Sequence, residues 1–236
     1  MQARESSIPR MKRRHRVLGH LAARRASHSF GFVLLAIGVT FLFAATAPDG
    51  AWSTSTLVLI ESGTMMIALW TSGLASAGSW INVGFLCLAI GLATADLIWG
   101  GDALTGALGV VSALLALGIV GVVVASVVVR GEIDAQSIIG AICVYLLLGI
   151  IFMFIYGAVA AFGDDTFFSQ GTDGTRSLRL YFSYVTLATL GYGDYTPKSN
   201  LGHTLAIIEA LFGQIYLVTV VALLVARLRP RRAREE

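Results

Sequence analysis

Residues Thr186 to Pro197 read "TLATLGYGDYTP", and they interrupt a chain that is otherwise rich in membrane-grade hydrophobes. Of the 236 residues, 56% are hydrophobic and 13% charged, a balance no soluble core of this size needs. How two glycines, a tyrosine and an aspartate are accommodated there decides the fold. Gly and Asp are ordinary turn formers, so a surface turn is one answer; irregular backbone set deliberately at membrane depth is the other.

A membrane helix takes about 20 apolar residues to cross roughly 30 Å of hydrocarbon. Six stretches meet that need: Phe30 to Ala47, Ser53 to Leu74, Trp80 to Ile98, Leu104 to Val129, Ser137 to Phe162, and Gly202 to Ala226. The second and third carry Glu61 and Asp96, yet Trp52, Trp70, Trp80 and Trp99 fall near their ends, as interfacial aromatic belts do. The expected class is an all-α membrane protein.

Basic residues set the orientation. Arg4, Arg10, Lys12, Arg13, Arg14, Arg16, Arg24 and Arg25 precede the first span, and Arg227, Arg229, Arg231, Arg232 and Arg234 follow the last, so both ends are expected in the cytoplasm of a multi-pass protein of the cell membrane. An even number of spans agrees. The rival for residues 11–47 is a cleaved signal peptide, since a basic region, an apolar region and Ala45-Thr46-Ala47 occur in order; its apolar run exceeds the usual length, and Pro48 follows the cut. The formal charge of +3 reflects this arginine bias and does not imply nucleic acid. Anionic lipid headgroups are the expected partner of the amino terminus, a topology signal alone being the alternative. Cys87 and Cys143 lie inside spans, the ordinary place for a small hydrophobe.

The organisation expected is a basic segment 1–29, a four-span bundle 30–130, a charged link 131–136, a second unit 137–228 and a short tail 229–236. Within that second unit, the connection from Gly163 to Asn200 is several times the usual ~4–6 residues, and connections so long tend to be functional or disordered. It begins polar, "GDDTFFSQGTDGT", and continues apolar and aromatic, "SLRLYFSYVTLA". Thr175 or Ser177 can cap a helix there. About twelve residues give ~18 Å of helix at ~1.5 Å each, enough to descend half way through a bilayer. Residues Thr189 to Gly193 returning extended cover ~16 Å. Backbone at that depth is tolerated only where it is buried in protein or lines a wet cavity.

Thr189-Leu190-Gly191-Tyr192-Gly193-Asp194 resembles the selectivity-filter signature of the potassium channel superfamily. The resemblance covers residues 137–228: outer helix, re-entrant pore helix, filter and inner helix. It implies that the carbonyls of Thr189, Leu190, Gly191 and Tyr192, with the Thr189 hydroxyl, replace the hydration shell of potassium, the permeant ion and only ligand expected. Glycines suit a backbone whose carbonyls must all face inward. Tyr192 is expected to turn its ring outward, and Asp194 to raise local cation concentration at the outer mouth. A ring of carbonyls around an axis needs several copies, and the resemblance implies three identical partner subunits in a homotetramer.

Gly213 stands at the position where many members have a hinge glycine; close helix packing is the alternative. On that register Gln214, Leu217, Val221 and Val225 face the cavity or an apolar gate that closes by dewetting. Some members place a Glu four residues before the filter threonine and a Trp seven before it to tie down the filter aspartate. Val185 and Phe182 hold those places, leaving Tyr181 or Tyr184 as the available hydroxyls.

Six spans with a pore in the last two resemble voltage-gated channels, yet Leu104 to Val129 contains no charge. A charge moved across the field is worth about 2.3 kcal/mol per 100 mV, so steep voltage dependence is not expected. After Ala226 no nucleotide- or calcium-binding domain is expected. Ionisable groups within spans are functional candidates: Glu61, and Glu209 with His203 near the outer mouth, as modulators of pH response, structural hydrogen bonding being the alternative. Neither a nucleophile, a metal-ligand cluster nor a phosphate loop is evident, so no enzyme and no cofactor is expected. A potassium-selective pore is the preferred expectation. A weakly selective cation channel and a non-conducting accessory subunit are the others.

Overall fold

The structure is a computed structural model, and it describes residues 29–72, 75–99, 101–130 and 135–228. The expected amino-terminal segment, most of the link 131–136 and the carboxy-terminal tail lie outside the described residues, as does the side chain of Asp96. Seven helices are present among the described residues: α1 (Ser29–Thr46), α2 (Ala51–Ser72), α3 (Ala75–Trp99), α4 (Asp102–Arg130), α5 (Ala135–Phe162), α6 (Arg176–Leu187) and α7 (Asn200–Leu228). Beyond helices, the described residues contain only isolated bridges, Phe168 with Thr172 and Phe168 with Pro197.

Ala103–Val128, Ala135–Phe162 and Asn200–Val220 are long and apolar enough to cross a membrane, and Phe30–Thr46 and Val83–Ala95 are shorter apolar helices. Each helix falls within a few residues of the stretch the apolar pattern marks. Short connections force antiparallel neighbours: α1 packs on α2, α2 on α3 and α4, and α3 on α4. Helix α5 is the hub, lying against α1, α4, α6 and α7.

The main core gathers Phe30, Val33 and Ile37 of α1, Leu57 and Leu69 of α2, Ile119 and Val123 of α4, and Leu147 and Ile150 of α5. In a separate, aromatic core, Phe152 and Tyr156 of α5 meet Phe167, Phe168 and Phe182. Outside these, large apolar side chains face outward: Trp70, Trp80 and Trp99 are 75%, 82% and 78% exposed. An exposed apolar surface on this scale requires lipid or a partner chain to cover it.

Candidate functional site: the re-entrant helix and its return

The polar part of the long connection folds before the helix begins. Phe167 N donates to Asp173 Oδ1 at 2.8 Å, and Phe168 N to the Thr172 carbonyl at 3.0 Å. This turn grips the chain beyond residues 189–194: Ser169 N donates to the Thr196 carbonyl at 2.9 Å and Lys198 N to the Phe167 carbonyl at 2.8 Å. Lys198 Nζ also lies 3.0 Å from Asp165. Both ends of the re-entrant segment are therefore fastened to one loop.

Helix α6 starts where a cap permits. Thr175 has extended φ and ψ of −73° and 165°, and its hydroxyl accepts from Leu178 N at 3.1 Å, satisfying one orphan donor of the first turn. Another is satisfied from a distant part of the chain. Asp49, in the α1–α2 corner, accepts from Arg176 N at 3.1 and 3.2 Å, a carboxylate on the positive end of a helix dipole. The Arg176 side chain is buried and donates from Nη2 to Thr54 Oγ1 at 2.9 Å and Ser53 Oγ at 3.2 Å. Burial lowers the guanidinium pKa, and Asp49 and Glu61 oppose that change. The amino-terminal bundle thus holds the base of α6, and edge-to-face packing of Phe41 on Tyr184, centroids 5.3 Å apart, adds a second contact.

The helix ends by turning into the filter segment. Ala188 N donates to Tyr184 O, Thr189 N to Thr186 O, and Leu190 N to Val185 O at 2.8 Å. Val185 contributes a carbonyl here, although its side chain can hold nothing polar. Thr189, Gly191 and Gly193 then take φ of 56°, 55° and 77°, while Leu190 and Tyr192 between them stay out of that region. Successive carbonyls of an extended strand point to opposite sides; reversing φ at alternate residues brings them towards one side, a cation-facing arrangement that Gly adopts at little cost. For Thr189 the same φ is strained, of order 1–3 kcal/mol.

Every residue from Thr189 to Asp194 is exposed in the single chain. Tyr192 lies flat on Tyr181 of α6, rings 6.4 Å apart and 6° from parallel, so its ring turns back towards the pore helix. Asp194 finds the partner its sequence neighbours left open: Tyr181 Oη donates to Asp194 Oδ2 at 2.8 Å. That bond raises the phenol pKa to about 12. The side chain of Phe182 is buried in the aromatic core. Tyr184 points elsewhere, donating to the Leu146 carbonyl of α5 at 2.6 Å.

On α7, Gln214 and Leu217 are exposed, as open space beside a single subunit requires. Val221 and Val225 belong to α7, but their side chains lie outside the described residues. Gly213 is buried against the end of α6, where an added Cβ would collide with the Leu187 carbonyl oxygen. Glu209 and His203 are not brought together. His203 is exposed, while Glu209 is fully buried, with Tyr156 Oη and Ser183 Oγ as its hydrogen-bond partners. Glu61 is 1% exposed within the bundle, and neither of its oxygens has a hydrogen-bond partner.

Comparison with known proteins agrees with this geometry. Residues 140–229 match the family described as "Ion channel". A "Probable potassium channel protein 2" of Methanocaldococcus jannaschii is 46% identical over 46 residues, which are 18% of this chain and 13% of that protein. Residues 140–229 are thus similar to ion-channel proteins, and the stretch matched to that relative spans 13% of its length. The family match and the long apolar helices support a membrane protein. No solved structure matches this chain. The family match begins within α5 and ends just beyond α7, so it takes in α6 and residues 189–194 and leaves out α1 to α4.

Proposed function

We propose that the chain is one subunit of a potassium-selective channel in which four copies close the filter around a common axis and conduct potassium passively. The carrying observation is the alternation of left-handed φ at Thr189, Gly191 and Gly193, on exposed backbone directly after α6. Such a backbone aims several carbonyls at one line, and a single chain supplies only one wall of the ring. Potassium then binds the carbonyls of Thr189, Leu190, Gly191 and Tyr192, with Asp194 concentrating cations at the outer mouth. Tyr181 replaces the tether that Val185 and Phe182 cannot supply, which favours a selective filter over a loose one.

Six spans, with both termini in the cytoplasm of the cell membrane, accommodate the helices α1–α5 and α7. The exposed tryptophans and the basic segment 1–29 support that topology, and the basic segment has anionic headgroups as its partner. Helices α1 to α4 act as a scaffold behind the pore. With a charge-free α4 between Leu104 and Val129, gating is not steeply dependent on voltage; a measured gating charge of several units per subunit overturns this.

Ion flux in reconstituted liposomes tests the proposal. Potassium flux well above sodium flux supports it; equal fluxes favour a weakly selective cation channel, and no flux favours an accessory subunit. Gly191→Ala is the control, because a Cβ at Gly191 meets nothing within 4 Å and acts through φ alone. A left-handed conformation costs an L-residue about 1–2 kcal/mol, so the variant assembles yet loses selective flux.

A further inference from the structure

Glu209 of α7 is the meeting point of three helices. Its Oε2 accepts from the Tyr156 hydroxyl of α5. Its Oε1 lies 2.5 Å from Ser183 Oγ of α6, and the same Ser183 Oγ lies 2.8 Å from the Gly149 carbonyl oxygen of α5. Glu209 and Ser183 are each 0% exposed. No basic side chain forms an ion pair with Glu209 among the described residues. The titratable groups whose electrostatics involve it are tyrosines: Tyr145 and Tyr156 on α5 and Tyr184 on α6.

The protons of this cluster can be counted. A carbonyl only accepts, an ionised carboxylate only accepts, and a serine hydroxyl carries one proton. With Glu209 ionised, Ser183 faces two acceptors with one proton. One close oxygen–oxygen contact is then left with no hydrogen between its atoms, and a buried charge is left with no counter-charge. With Glu209 neutral, each contact has its own proton. Glu209 Oε1 donates to Ser183 Oγ, Ser183 Oγ donates to Gly149 O, and Tyr156 Oη donates to Glu209 Oε2.

We propose that Glu209 is a neutral carboxylic acid that completes this hydrogen-bond chain and so positions the pore helix α6 against both α5 and α7. Glu209 is a positioning residue: Ser183 stands on the last turns of α6 before the filter, and Glu209 acts on the filter only through it. The inference needs neither potassium selectivity nor four-fold assembly, so it stands or falls apart from the proposed function.

Infrared spectroscopy of the purified protein in lipid at neutral pH reads the proton directly. Glu61→Gln is expected to show a deuterium-sensitive carbonyl band of a protonated carboxylic acid, and the Glu61→Gln/Glu209→Gln double variant is expected to lack it. Ser183→Ala shifts the band, because the acid loses its acceptor. Carboxyl-¹³C glutamate incorporated into the Glu61→Gln protein gives the same readout without touching Glu209, which is then the one buried glutamate among the described residues. No label-sensitive acid band there overturns the neutral state. Glutamine can donate to Ser183 and accept from Tyr156, so Glu209→Gln keeps the wild-type thermal midpoint, whereas Glu209→Leu, which can do neither, loses it. A Glu209→Leu protein as stable as wild type overturns the positioning role.

Discussion

Replacing Gly213 by alanine separates two uses of one glycine. On an isolated helix the change is favourable, since Ala exceeds Gly by about 1 kcal/mol in a helix interior. In this molecule the new methyl group would press into the Leu187 carbonyl oxygen, and it would stand 3.0 Å from both the Leu187 carbonyl carbon and Cδ1, well inside the ~3.5 Å at which carbon atoms rest. The obstacle is backbone, and Leu187 is the last residue of α6, two positions before the filter threonine. Neither α6 nor the filter can retreat without disturbing the other. Overpacking costs about 1–3 kcal/mol, and a collision with backbone belongs to the upper part of that range, about 2–3 kcal/mol, so the helix gain of about 1 kcal/mol leaves a net loss of about 1–2 kcal/mol. For a chain of this size that is roughly 2–8 °C in thermal midpoint. Thermal unfolding of the detergent-solubilised protein measures the loss, and liposome flux is expected to show weaker discrimination between potassium and sodium. If Gly213→Ala melts at or above the wild-type temperature with unaltered flux, the packing argument is wrong. Unaltered stability with changed flux identifies a hinge.

Three further substitutions probe the same frame. Tyr181→Phe removes the hydroxyl that holds Asp194, so sustained flux is expected to decay faster while thermal stability stays close to wild type. Because the Tyr181 pKa is raised from 10.0 to about 12, the bond is intact below about pH 10 and is lost as pH rises through about 12; an ultraviolet phenolate titration should lose amplitude near pH 12 in this variant, and an unchanged titration refutes the pairing. Arg176→Met deletes the bonds to Ser53 and Thr54, worth about 1–3 kcal/mol for a charged donor, and should lower the thermal midpoint, with a wild-type midpoint counting against the clamp. Glu61→Gln removes a carboxyl group that has no hydrogen-bond partner in the bundle, so it should leave stability unchanged or raise it; a clear loss points to a partner for that carboxyl group.

Much of the chain was legible residue by residue, since helix length and apolar content are local properties. The span pattern marked α1 to α5 and α7 within a few residues, and Thr175 was one of two hydroxyls offered as the cap of α6. The irregular return after α6 was legible because alternate left-handed positions leave a signature in residue types, and Gly191 and Gly193 occupy two of them. Thr189, which shares that φ, carries no such signature, because threonine ordinarily avoids it.

Partners were not legible in the same way. Sequence left Tyr181 and Tyr184 as equal candidates for Asp194, and they differ only in which side of α6 each occupies once α5 is packed behind it. Arg176 drew no notice because its partners Ser53 and Thr54 lie more than 120 positions away, across a contact made only when α2 docks on the pore unit. Glu209 and His203 both looked like pH-responsive groups near the outer mouth; docking put one inside and left the other exposed. The sequence by itself determined where the chain is helix and where it must not be helix, through apolar runs, a capping hydroxyl and two glycines. Only the tertiary structure decided which hydroxyl meets which carboxyl group and why Gly213 has no side chain, because those depend on distances between helices that no local pattern encodes.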